Sequence, residues 1–432
     1  MYQNLGPCHG NLSEYDLAIA YSEKALDIQR RYFGEMSEQV AISMNNLGAE
    51  YARVGQYEKA LALHQASLDI RKKIWGEESP EVAKALSNLA IVYSYLGDNA
   101  KAISINREVF AMRQKVLDGH DRVLIQSLGN LGAELLLADS LEAAKVVLRE
   151  AIRRYHESQN SDQQFYHVYL HFARSWALTG QLDSSLTYIQ LALELEIPGM
   201  KGKGKLEPVP ENRLDQSAAV LNILEQKGQN LFTAGVSEAH FVAANTAFAQ
   251  AAESLDRLRM RFGKQSKITL GTEATPLFES WIANNYKLFE LTGDPRYVEM
   301  AWQAASRSKA FLLREQLYKQ RNSSYAGIPD SLIQQEQNLQ ASITALLSLL
   351  QEHAQSESES DSLRIQTWKT SLLDLESKQV QLIARFKSEH PHYYREKFSL
   401  DIPDLDRLRQ KLKKDDAKLL QYFRATGSIF FA

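Results

Sequence analysis

The sequence predicts an all-α fold: a superhelical solenoid of repeated helix pairs, followed by a long helical hairpin and a short β segment at the C-terminal end. Three observations predict it. Asn4-Leu5-Gly6 returns as Asn46-Leu47-Gly48, Asn88-Leu89-Ala90 and Asn130-Leu131-Gly132, a step of 42 residues. Apolar residues fall three and four apart inside each step, which is the spacing of one helix face. Glycines and capping residues keep the same step. A unit this short cannot close a core alone, so each copy must bury its apolar face against the next.

Within a unit, the first helix is marked by Met44, Leu47 and Tyr51, answered by Leu86, Leu89 and Tyr93, then by Leu128, Leu131 and Leu135. Small residues repeat along the second helix at Ala60, Ala102 and Ala144, and Ser67, Val109 and Ala151 share another phase. They allow close approach of two helices. Gly55-Gln56 and Gly97-Asp98 break the pair, because glycine enters tight-turn backbone angles without steric cost. Ser37, Ser79 and Asp121 stand where a side-chain oxygen can cap free backbone donors, and Pro80 suits a first helical position. A fifth copy follows with one residue deleted, carrying Asp162 as cap, Phe172-Ala173 for Leu-Gly, Trp176 for the tyrosine and Gly180-Gln181-Leu182 at the turn. The first copy departs from the pattern, since Pro7 and Gly10 fall inside its first helix.

This pattern resembles the tetratricopeptide repeat, in the long variant found in kinesin light chains, and the match runs from Asn45 to Ala83 nearly end to end. The resemblance implies that the first helix of each unit lines a concave groove that holds peptide or protein partners. The residues expected there are Asn45, Asn46, Arg53, Lys84, Asn88, Tyr95, Asn130, His167, His171 and Arg174. Asparagine amides both donate and accept, and can bond the backbone of an extended peptide. The plainer reading is that the asparagines pack or cap neighbouring helices.

The expected domain order is repeats over 1–195, a flexible loop over 196–212 rich in glycine and proline, degenerate helical repeats over 213–320, an antiparallel coiled hairpin over 328–390, and the start of an α/β domain over 391–432. Leu339, Ile343, Leu346 and Leu350, then Ile365, Trp368, Leu372, Leu375, Leu382 and Phe386, follow a 3.5-residue repeat that makes a coiled-coil seam. The acidic, serine-rich linker from Ser356 to Ser362 reads as the solvated tip. After a helix near Ile402–Leu412, a strand-like stretch from Lys418 to Phe423 is followed by Ile429-Phe430-Phe431, an apolar strand edge of a kind that recruits other chains. From that edge we expect the natural chain to continue past Ala432. Residues 296–432 also resemble the region preceding the caspase-like CHAT domain, through Ser306–Leu313, Pro391–Tyr394 and Leu419–Phe423. That resemblance implies a cysteine peptidase further along and a regulatory role for this chain.

Enzymatic residues are not expected in the chain itself. Its one cysteine, Cys8, stands in the broken first helix, and a nucleophilic thiol needs a histidine neighbour and an electropositive pocket. His167 and His171 stand four apart, a spacing that can chelate a metal, but no glutamate follows the first and no third ligand is evident. The Gly-Lys alternation at 202–205 lacks the spacing and the Ser or Thr of a phosphate loop. No metal or cofactor is expected. With 50 basic and 53 acidic residues and a net charge of −3, nothing suggests a nucleic-acid stripe or a membrane anchor. One cysteine suits a reducing compartment, so the cytoplasm is the expected location. The expected function is protein or peptide binding, and the alternative is a free-standing scaffold or adaptor.

Overall fold

The computed structural model describes residues 15–158, 165–197, 199–211, 214, 218–261, 275–320, 328–353, 359–391, 393–394, 422–425 and 428–431. The expectations placed on residues 4–10, on Asp162, on residues 356–358 and on the 402–412 helix lie outside them. The chain forms two compact units, residues 1–214 with 219–247 and residues 215–218 with 248–432.

In the first unit, α1 (Tyr15–Phe33) precedes four helix pairs. These are α2 (Glu38–Arg53) with α3 (Tyr57–Trp75), α4 (Pro80–Tyr95) with α5 (Asn99–Val116), α6 (Arg122–Leu137) with α7 (Leu141–Glu157), and α8 (Tyr166–Leu178) with α9 (Leu182–Glu196). Helix α10 (Ala218–Ala234) follows, and the division between the units falls inside α11 (Glu238–Arg261), at Ala247. Caps start the first helices where the sequence places them: Ser37, Ser79 and Asp121 accept from the backbone N–H of Val40, Val82 and Val123. The mid-unit turns are left-handed at Gly55 (φ 76°), Gly97 (φ 78°) and Gly180 (φ 75°). At the equivalent place in the third pair stands Asp139, with φ 54°, a left-handed residue that carries a Cβ.

Two of the pairs close on a glycine. A Cβ on Gly48 would lie 3.0 Å from the His64 ring, and one on Gly132 would lie 2.4 Å from Leu148 Cδ2. In the second pair alanine stands for the glycine, at Ala90, and Asn106 stands 42 residues on from His64. The first-helix leucines that set the pattern are buried, Leu47 at 3%, Leu89 at 2% and Leu131 at 6% exposed, as is Tyr51, while Tyr93 is half-buried. A second within-unit match is electrostatic. Lys59 lies over the Tyr51 ring (4.8 Å) and Lys101 over Tyr93 (4.2 Å). The third pair has Leu135 for the tyrosine and Ala143 for the lysine, so both partners are absent together.

Units are tied to one another from behind. Arg113 on α5 donates to Ser127 Oγ (2.7 Å) on α6 and to Ser87 Oγ (3.1 Å) on α4, holding two successive first helices at once. Lys145 on α7, with its side chain 4% exposed, donates to Glu142 and Thr179 (2.9 Å each) and lies over the Trp176 ring of α8 (4.3 Å). Within the segment expected as a flexible loop, two apolar residues are packed down. Met200 and Val209 are each 1% exposed, Lys205 pairs with Asp183 (2.7 Å), and Lys227 of α10 donates to the Glu207 carbonyl (2.8 Å). Apolar residues between the glycines and prolines supply the burial that composition alone conceals.

In the second unit, α12 (Thr275–Thr292) packs on α13 (Arg296–Gln320), with the turn at Gly293 (φ 68°), and Arg307 of α13 forms an ion pair with Asp256 of α11. Helices α14 (Asp330–His353) and α15 (Glu359–Glu389) pack with the start of one beside the end of the other. Leu332 and Leu339 share a core with Leu382, Phe386 and Tyr393, and Tyr393 donates to Glu336 (2.8 Å). Leu350 and Ile365 lie outside the described side chains. Strands β1 (Tyr422–Ala425) and β2 (Ser428–Phe431) pair antiparallel, with Phe423 opposite Phe430.

Candidate peptide-binding face

Packing on both sides leaves each first helix with one uncovered stripe, at steps of four, three and four residues. The stripes are Ile42, Asn46, Ala49 and Arg53 on α2; Lys84, Asn88, Ile91 and Tyr95 on α4; Gln126, Asn130, Ala133 and Leu137 on α6; and His167, His171, Arg174 and Leu178 on α8. All are half-buried or exposed. Successive stripes keep the repeat register, so Asn46, Asn88, Asn130 and His171 share one level, and Arg53, Tyr95, Leu137 and Leu178 another. None of the sixteen is a carboxylate.

Nine of the ten residues expected in the groove fall on these stripes, and Asn45 lies one position to the side. Their surroundings differ. Asn88 Nδ2 donates to Asn45 Oδ1 at 2.5 Å, so these two amides clasp adjacent repeats to each other. Asn46 and Asn130 have no hydrogen-bond partner among the described residues, which leaves their amides open to a ligand. Arg53 is held by both oxygens of Glu50 (3.0 and 3.1 Å). That carboxylate is 2% exposed, and burial raises its pKa against the lowering effect of Arg53. Tyr95 stacks on Tyr57 of α3 (5.2 Å between centroids, 14° between planes) and remains 59% exposed. Lys84 and Arg174 have no carboxylate partner among the described residues.

On α8, the imidazoles of His167 and His171 have no hydrogen-bond partner among the described residues. The His167 ring lies 3.9 Å from that of Tyr166, centroid to centroid. Desolvation by neighbouring groups lowers the pKa of the exposed His167, and that of the half-buried His171 is lowered to about 4, first by desolvation and then by repulsion from His167 and Arg174. On α10, Glu225 has its pKa raised to about 7 by desolvation.

The sequence reading passed over the apolar part of this face. Ile91 is 45% exposed, Leu137 50% and Leu178 43%. The signal was available, since Leu137 and Leu178 stand in register with Tyr95, but a leucine inside a helical repeat reads as core. Among the described residues there is no group of three or more His, Cys, Asp and Glu arranged to hold a metal, and no helix is long and apolar enough to cross a membrane.

The tetratricopeptide repeat family model matches residues 1–73 and 74–157. Residues 1–157 therefore carry tetratricopeptide repeats. No curated protein matches the chain. Among solved structures it is similar to the tetratricopeptide-like repeats of a kinesin light chain, described as putative, from Podosopora anserina, at 17% identity over 45% of this chain and 92% of that one, with a TM-score of 0.40. It is also similar to the Rap conjugation gene regulator of the plasmid pLS20 in complex with the Phr* peptide, at 16% identity over 74% of this chain and 75% of that one (TM-score 0.46). The apo form of RapI is a further neighbour, at 17% identity over 60% of this chain and 83% of that one (TM-score 0.44). The stripes on α2, α4 and α6 thus belong to tetratricopeptide first helices, and the repeats suggest a protein-interaction module.

Proposed function

We propose that the chain binds an extended peptide, or an extended segment of a protein, along the face formed by α2, α4, α6 and α8. The observation that carries this reading is the face itself. Exposed apolar side chains at Ile91, Tyr95, Leu137 and Leu178 run beside the free amides of Asn46 and Asn130, in repeat register. Apolar residues give an extended ligand something to bury, and amides spaced along it meet the backbone groups that a strand leaves unpaired. Asn45 and Asn88, bonded to each other, support the face rather than contact the ligand. A random dodecapeptide display library tests the reading. The full chain should enrich peptide families that the triple variant Tyr95→Ser, Leu137→Ser, Leu178→Ser does not retain. Equal enrichment by both proteins would refute it.

A second reading rests on the sequence resemblance at Ser306–Leu313, Pro391–Tyr394 and Leu419–Phe423. In it, the module is the cytoplasmic recognition arm of a CHAT-type cysteine peptidase, and α14 and α15 form the lever that transmits binding. The coding sequence past the codon for Ala432 tests it. An open frame with a histidine and then a cysteine supports the arm, whereas a stop codon leaves a free-standing scaffold.

A further inference from the structure

The edge on which one repeat hands over to the next is apolar at every corner. Tyr32 and Phe33 end α1, Ile74 and Trp75 end α3 one 42-residue step later, and Val116 ends α5 at the step after that. These side chains stand in solvent, Tyr32 at 82%, Phe33 at 56%, Trp75 at 47% and Val116 at 60% exposed. Met36, in the loop after Phe33, is 50% exposed. The three corners adjoin. Lys115, next to Val116, reaches Glu78 in the loop after Trp75 (2.5 Å). Arg71 donates to the Glu81 carbonyl (3.2 Å) and also feels the carboxylate of Glu38, two residues past Met36. The apolar ends therefore form one row along the array, and no member of it belongs to the stripes on α2, α4, α6 and α8.

We propose that this row is a homodimer surface, covered in solution by the same row of a second copy of the chain. The area fits such a use. Aromatic side chains carry about 150–250 Å² each, so the exposed parts of Tyr32, Phe33 and Trp75 amount to roughly 400 Å². Ile74, Val116 and Met36 bring the row to roughly 650 Å², more than a solitary chain usually leaves in one patch. Two copies facing each other bury roughly 1,300 Å² through these residues, which reaches the size of a stable interface.

Charge selects a second copy over an acidic protein or an anionic lipid surface. Arg30 is answered by Glu35 (3.2 Å), Lys72 by Glu77 (2.6 Å) and Lys115 by Glu78 (2.5 Å), all on the edge itself. Little field of either sign is left to draw a charged partner, and two such edges meet without repulsion. The signs are also sorted. Basic residues lie in the last turns of α1, α3 and α5, and carboxylates in the loops and first turns that follow, so the row has a basic flank and an acidic flank. A two-fold axis along the row sets each corner against its own copy, and the basic flank of one chain against the acidic flank of the other. Lys73, which has no carboxylate partner among the described residues, then faces Glu77 of the second copy.

Sedimentation equilibrium of the full chain tests this. Over about 0.5 to 200 µM it should show monomer and dimer in exchange, with a Kd of micromolar order for an interface of this size. The double variant Tyr32→Ser, Trp75→Ser should raise Kd about thirtyfold or more, as truncation of large aromatic anchors does. Lys73→Glu keeps every apolar side chain and should raise Kd about tenfold, because each dimer gains two like-charge contacts. Adding Glu77→Lys to it should restore the wild-type value. A monomer at every concentration overturns the proposal. A dimer whose Kd none of these variants moves is held elsewhere and overturns it equally, and failure of Glu77→Lys to restore the dimer refutes the axis along the row.

Discussion

His64 offers a sharp test of how the first repeat is packed. Its ring is 3% exposed on α3, fills the space left by Gly48 on α2, and has no partner for Nδ1. Burial lowers its pKa from 6.5 to about 4. The folded value lies below the unfolded one, so the stability that depends on the neutral ring is complete above about pH 6.5 and is lost as pH falls toward 4. At about 1.36 kcal/mol per pKa unit the loss amounts to about 1.4 kcal/mol at pH 5.5 and about 2.6 kcal/mol at pH 4.5. His64→Leu reproduces the glycine–leucine match already present at Gly132 and Leu148, and removes the titrating group. Urea denaturation of both proteins at pH 7.5, 5.5 and 4.5 should show the variant gaining on wild type by these amounts as pH falls. Glu225, whose raised pKa makes its contribution fall as pH rises from about 4.5 to 7, is common to both proteins and cancels in the difference. A difference that does not change with pH would refute the reasoning, because it would mean that the ring is protonated equally in the folded and unfolded chain.

Other expected outcomes concern the packing between and within repeats. Gly132→Ala should cost about 1–3 kcal/mol by overpacking Leu148, less the roughly 1 kcal/mol gained in helix propensity, and Leu148→Val in the same chain should recover part of it in thermal melts. Asp139→Gly relieves a left-handed backbone and should stabilise by up to about 1 kcal/mol in urea denaturation; a loss of stability would show that the aspartate side chain supports the turn. Asn88→Ala should cost about 1 kcal/mol through loss of the Asn45 bond, whereas Asn46→Ala and Asn130→Ala should stay within about 0.5 kcal/mol and act on peptide binding instead. Lys145→Met should cost about 2 kcal/mol, because a buried ammonium over Trp176 joins α7 to α8.

Much of the first unit was legible because a repeat writes its constraints several times. Ser37, Ser79 and Asp121 announced helix starts by their common interval, and Gly55 and Gly97 announced the turns. Asp139 escaped notice because aspartate at a turn has many readings, and only the backbone angle shows that it stands in for glycine. The burial of Met200 and Val209 was not legible because the glycines and prolines around them speak only of turns. On the candidate face, the polar residues were found by phase and the apolar ones were not, since a sequence cannot distinguish a leucine that meets the next helix from one that the next helix leaves bare. The bond between Asn45 and Asn88 was invisible for a related reason. It joins residues 43 apart whose levels meet only once the repeats are stacked.

Arg113 has a consequence for how the array responds to load. Its guanidinium grips Ser87 and Ser127 together, so a single planar ion adds a polar tie between two neighbouring first helices to the packing that already joins them. In a linear array, whose melting is governed by each link as well as each unit, such a grip is a coupling constant. Cutting it would weaken the link between α4 and α6 while leaving every repeat's own packing in place.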